Sequence, residues 1–219
     1  MLDRLPILAI ETSQSCCGAC VFYDDEKFFE SSIVSKNIHA EKIFEVIDAA
    51  LKMAGVSTDE LRCVAVSAGP GSFTGLRIGM AAAKGIAYGA SLPIAAVPTF
   101  EALAFQLSQQ MNDNVEFMIV NRVNLDEVFA AKFKVNYNSY IFVKDIEIVK
   151  ISELFAENID CLIFGNLEAA IVEQKIIPVS YPTPEFVAKW AYYFGKEKLK
   201  FEFDYIEPNY VKNFVIKGG

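Results

Sequence analysis

Residues 64–91 read "VAVSAGPGSFTGLRIGMAAAKGIAYGAS". The apolar run 64–67 predicts a buried strand and the Gly69-Pro70-Gly71 turn stops it. A helix over about 73–90, built largely of Gly and Ala, follows. Such a stretch is either a phosphate-holding loop or a helix shaped for another backbone to lie against.

The phosphate reading fails its sharper forms. A Walker loop ends in Gly-Lys-Ser/Thr, whereas Gly75 is followed by Leu76 and Arg77. A dinucleotide fingerprint needs GxGxxG, and Gly69, Gly71 and Gly75 are one residue too widely spaced. Backbone N–H groups at a glycine turn leading into a helix still attract anions. Gly69, Gly71, Ser72 and Thr74 therefore form a candidate anion loop, with a helix cap by Ser72 or Thr74 as the alternative.

The packing reading fits better. Gly75, Gly79 and Ala83 recur at i, i+4 and i+8, and Ala82, Gly85 and Gly89 extend a smooth surface. Interior helical glycines cost roughly 1 kcal/mol each against Ala, so several together need a packing reason. Only Arg77 and Lys84 are strongly polar in the body of the helix, which predicts burial on all sides. The preceding helix, about 39–54, has apolar residues over about half its circumference, whereas one sheet face explains a stripe of roughly 100°. Two neighbouring helices with apolar surface to spare predict a partner interface. Its candidate residues are Ile43, Phe44, Ile47 and Leu51 on the first helix and Gly75, Leu76, Gly79, Ala82, Ala83 and Ile86 on the second. A deeper core within the chain is the alternative.

Working outward, strands are predicted at 7–11, 16–23, 28–34, 62–67 and 94–97, giving the order βββαβαβ with the two helices. A helix near 99–110 leads to strands near 115–121, 126–135 and 140–149, a short helix at 152–157 and a strand at 161–165. A small-residue turn at 165–170, a further strand at 176–180 and a closing helix at 184–198 complete a looser repeat. The expectation is an α/β protein of two domains, 1–98 and 99–219, each a mixed sheet covered by helices. The closing helix is placed so that it can return to the first.

The 219 residues are 53% hydrophobic and 22% charged, the balance of a globular protein. No apolar run reaches the length of a membrane span, and the N-terminal apolar segment is too brief for a signal peptide, so a soluble cytoplasmic protein is expected. A formal charge of −8 repels polyanions, which argues against gripping nucleic acid unaided. Cysteines stand at 16, 17, 20, 63 and 161, and "CCGAC" superficially suggests metal or redox chemistry. Zinc needs four ligands, however, and His39 is the only histidine. Reduced, packed thiols and no metal site are expected.

Four stretches, "ILAIETS", "AGPGSFTGLRIG", "LPIAAVPTFEALA" and "IEPNYVKN", together resemble the bacterial TsaB (YeaZ-type) family of tRNA threonylcarbamoyladenosine biosynthesis proteins. The resemblance implies the actin/Hsp70/sugar-kinase fold, two RNase H-like domains. It also implies a non-catalytic subunit that binds its paralogue TsaD through the first two helices and forms homodimers when alone. That complex, with the ATPase TsaE, places threonylcarbamoyl on N6 of the adenosine next to the tRNA anticodon. tRNA is met only through the complex, and any ATP or ADP sits at a joint interface. TsaD holds a metal through two histidines four apart on the first helix; His39 occupies that place, but Ile43 stands four residues on. Glu11 replaces the family's usual Asp, "NRVNLDEVF" departs from the expected Asp-Ala-Arg pattern, and "FGNLEAA" lacks the Gly-Gly turn of nucleotide-binding relatives. A small-molecule kinase or ATPase of the same fold and a metallopeptidase are the competing readings.

Overall fold

The structure, a computed structural model, describes residues 6–35, 37–156, 159–168 and 174–209. The first three strands, β1 (Ile7–Glu11), β2 (Cys16–Phe22) and β3 (Phe28–Val34), form an antiparallel meander. Helix α1 (His39–Ala54) then leads to β4 (Cys63–Gly69), helix α2 (Phe73–Gly89) and β5 (Ile94–Pro98). β4 lies parallel to β1, and β5 parallel to β4, because each is reached through a helical crossover.

After α3 (Thr99–Ser108) the pattern recurs in β6 (Glu116–Arg122), β7 (Glu127–Asn136), β8 (Ser139–Lys150), α4 (Ile151–Leu154), β9 (Leu162–Gly165) and β10 (Ile176–Ile177). The second sheet has the order β10-β9-β6-β7-β8, and the first contains β5-β4-β1-β2-β3. The two sheets thus share one topology, with the same parallel and antiparallel neighbours.

After β10 come α5 (Pro184–Phe194) and β11 (Leu199–Lys200), which pairs antiparallel with β5 and so adds a sixth strand to the first sheet. The closing helix stops at Phe194, short of the expected 198, and β11 has no sequence signal. Part of the 165–170 turn and the end of the 152–157 helix lie outside the described residues, as do the last four residues of "IEPNYVKN".

Both faces of the first sheet are covered. Leu8, Ile10, Val64, Val66 and Ile94 face α1 and α2. Their neighbours Ile7, Ala9, Cys63, Ala65 and Ala95 face α5 and α3. That alternation explains why these strands read as unbroken apolar runs. The segment "CCGAC" is buried strand throughout, with desolvation pushing the Cys16, Cys17 and Cys20 thiols upward. α3 is wedged between the sheets: Ala102 and Phe105 join the first core, while Phe100, Leu103, Ala104 and Leu107 join the second.

Candidate functional site

Two glycines of α2, Gly75 and Gly79, answer to the turn that follows β1. A Cβ at Gly75 would strike the Thr12 carbonyl, and one at Gly79 would strike the Thr12 hydroxyl. The Thr12 hydroxyl donates to the Gly75 carbonyl at 2.8 Å. At Gly71 a Cβ would lie 2.5 Å from the Ser13 carbonyl, which accepts the Ser72 N–H at 2.7 Å. At Gly71, Gly75 and Gly79 the neighbour that requires glycine is therefore the chain's own turn, whereas Gly85 and Gly89 face open space.

Seven of the ten expected interface residues lie inside the chain's own fold. Gly75, Leu76, Gly79, Ala82 and Ala83 are buried on the first sheet, as are Ile43 and Ile47 of α1. Of the ten candidates, Phe44 is 61% exposed, and Leu51 and Ile86 are half-buried. The outer surface of the helix pair also carries Met53, Phe73 and Tyr88, which are not among the ten candidates. Nor is α2 buried on all sides, since Phe73, Thr74, Arg77, Ala81, Gly85 and Tyr88 make an exposed stripe at helical spacing.

Three N–H groups of the candidate anion loop and the helix start are bonded internally. The Gly69 N–H donates to the Thr99 hydroxyl at 3.0 Å, the Ser72 N–H to Ser13, and the Gly75 N–H to the capping Ser72 hydroxyl at 3.2 Å. Ser72 thus acts as the helix cap, and Thr74 stands exposed beside it.

Glu11, at the C-terminal end of β1, is wholly buried. One carboxyl oxygen accepts the Ser13 N–H and hydroxyl, each at 2.5 Å, and the other accepts the Ser67 hydroxyl. Burial outweighs these bonds and pushes its pKa up to about 7. The metal-bound nucleotide that the fold class suggests needs an ionised, accessible carboxylate here, and the buried Glu11 does not fit it. Sequence reading singled out Glu11 but missed its partners, although Ser13 lies in the same "ETS" and Ser67 in the quoted strand.

His39 is likewise committed to the core: its Nε2–H donates to the Cys16 carbonyl at 2.9 Å. Among the described residues, no group of three or more His, Cys, Asp or Glu is placed to hold a metal ion, and no helix is long and apolar enough to cross a membrane.

Two sheets of one order, facing each other across α3, define a protein of the actin/Hsp70/sugar-kinase fold class. YeaZ from Pseudomonas aeruginosa has the same fold, with a TM-score of 0.77, 17% identity, and coverage of 94% of this chain and 99% of that one. Residues 32–120 match a family model described as TsaD, tRNA N6-adenosine threonylcarbamoyltransferase. The tRNA threonylcarbamoyladenosine biosynthesis protein TsaB of Haemophilus influenzae is 30% identical over 151 residues, 66% of this chain and 63% of that relative. The protein of the same name from Escherichia coli is 28% identical over 156 residues, covering 71% and 67%. The match thus spans just under two thirds of the first relative's length. The chain is thus similar to TsaB proteins over about two thirds of its length, and it shares the fold of YeaZ.

Proposed function

We propose that this chain is the non-catalytic subunit that binds and supports a TsaD-type threonylcarbamoyltransferase, in the cytoplasm, in forming N6-threonylcarbamoyladenosine next to the anticodon of tRNA. One observation carries the reading. The region resembling the transferase, 32–120, includes both outer helices, while the chemistry around it has been given over to packing. Glu11 is consumed by two serines, and His39 bonds a strand carbonyl with Ile43 where a second ligand would stand. What remains accessible is a surface, centred on Phe44, Leu51 and Ile86 and flanked by Met53, Phe73 and Tyr88. Exposed aromatic and aliphatic side chains on two adjacent helices suit protein docking.

In this reading the TsaD-type paralogue is the main partner and a TsaE-type ATPase completes the assembly. Two copies of this chain pair through the same face when alone, and tRNA is met only in the complex. The chain has no cofactor of its own, and ATP or ADP sits at a joint interface. The test is reconstitution with a TsaD-type transferase, a TsaE-type ATPase, tRNA and the threonylcarbamoyl donor. Modification should require this chain, which alone should yield none. Phe44→Asp should melt normally yet fail to co-elute with the transferase. Transfer by the isolated chain, or normal co-elution of the variant, would refute the reading.

A further inference from the structure

The segment Phe203–Asn209 crosses the flank of α2 from end to end. Near the C-terminal end of the helix, the Phe203 ring meets Tyr88 edge-on at 6.5 Å. Midway, Ile206 is 3% exposed and sits in the core shared by α1 and α2. At the far end, the Asn209 N–H donates to the Ala68 carbonyl at 2.6 Å, and the Asn209 carbonyl lies against Gly69. This strap and the helix enclose a groove of about 260 Å³ lined by Arg77, Met80, Ala81, Lys84, Ile206, Glu207 and Pro208.

The floor of the groove is apolar, formed by the buried Met80 and Ile206. Its helical wall carries both cations of α2, seven residues apart and so about 10 Å along the axis. The Arg77 guanidinium lies over the Phe73 ring at 3.8 Å, which holds it in place. On a chain of net charge −8, this wall is a local reversal of sign.

We propose that the groove is the specificity pocket of the docking face and receives a carboxylate-bearing side chain from a helix of the partner. The proposal rests on the docking reading above. Charge selects the occupant: a cation would be repelled by Arg77 and Lys84, and an apolar side chain would bring a desolvation cost with no opposite charge to offset it. A carboxylate on an aliphatic stem suits the wall and the floor together. Glu207, on the rim of the strap, opposes such an occupant and so provides a test of opposite sign.

Calorimetric titration of the TsaD-type paralogue with wild type, Lys84→Glu, Glu207→Gln and Ile206→Ala tests the proposal, with melting curves to verify folding. Lys84→Glu should weaken binding by about tenfold or more, and Glu207→Gln should strengthen it a few-fold; both differences should shrink at high salt. Ile206→Ala, which loosens the strap, should weaken binding and lower the melting temperature. If wild type binds and the folded Lys84→Glu variant binds within about twofold of it, the groove is refuted alone. If Glu207→Gln weakens binding, the proposed sign is wrong and the groove is again refuted. If wild type does not bind, the docking reading falls first and the groove with it.

Discussion

α2 and α3 are both nearly free of charge, yet the fold treats them differently. α3 has one acidic residue, Glu101, which accepts the Tyr140 hydroxyl at 2.6 Å, and eight of its ten residues are buried between two sheets. α2 has two cations and buries only one side, where glycine lets the backbone of β1's turn come close. The same apolar composition thus serves a wedge in one case and an inner lining with an outward face in the other. The difference lies in where the small residues are needed. α3 fills its space with Phe and Leu from both cores, whereas α2 must make room for Thr12.

The largest expected effect breaks α2 on its inner side. Gly79→Arg forces a long cation into Thr12, combining overpacking with an unpaired buried charge, so a loss above about 4 kcal/mol is expected. Thermal melting should find the variant unfolded or barely folded. A normally folded Gly79→Arg protein would mean that this side of α2 resembles its outer face after all.

Next in size is the turn that clamps the helix. The folded-state pKa of Glu11 stands at about 7, above its ordinary 4.5, so the folded protein holds the proton more tightly than the unfolded chain. The sign follows: stability is greatest below pH 4.5, falls as pH rises toward 7 and levels off above it. The fall is of order 3 kcal/mol. Glu11→Gln, with Ser67 turning its hydroxyl to accept, should flatten this slope and be the more stable form at pH 8. Chemical denaturation across pH measures both, and an unchanged slope in the variant would remove Glu11 as the source.

The smallest effect has the opposite sign from the first. A Cβ at Gly85 meets nothing, so Gly85→Ala should stabilise α2 by roughly 0.5–1 kcal/mol. Two glycines six residues apart in one helix should then differ in sign, and equilibrium denaturation of both variants checks this directly.

Much of the architecture was legible because it is written locally. The apolar run from Ile7 to Ile10 needs no distant partner to be read, nor does the glycine that follows α1, Gly55, which caps it in the αL conformation. The order of the strands also repeats in the sequence pattern. What escaped was non-local. Nothing between 73 and 90 reveals that Thr12, more than sixty residues earlier, is the surface its glycines fit. The two residues of β11 carry no periodicity, and their pairing depends on the exposed edge of β5. The candidate site divided in the same way. Phe44 was found on α1's apolar arc and remains exposed, whereas the serines that close off Glu11 are polar residues whose bonds exist only after folding.

The return of α5 and β11 to the first sheet has a consequence during synthesis. Ile7, Ala9, Phe22 and Ala65 leave the ribosome well before the helix that supplies Val187, Ala188, Trp190 and Ala191 to their core. At a typical 5–20 residues per second, more than a hundred residues separate them, so one sheet face waits several seconds for its cover. The whole second sheet is translated in that interval. The nascent protein therefore has a period in which its oldest strands need protection from aggregation, and chaperone contact should concentrate before residue 184 leaves the exit tunnel.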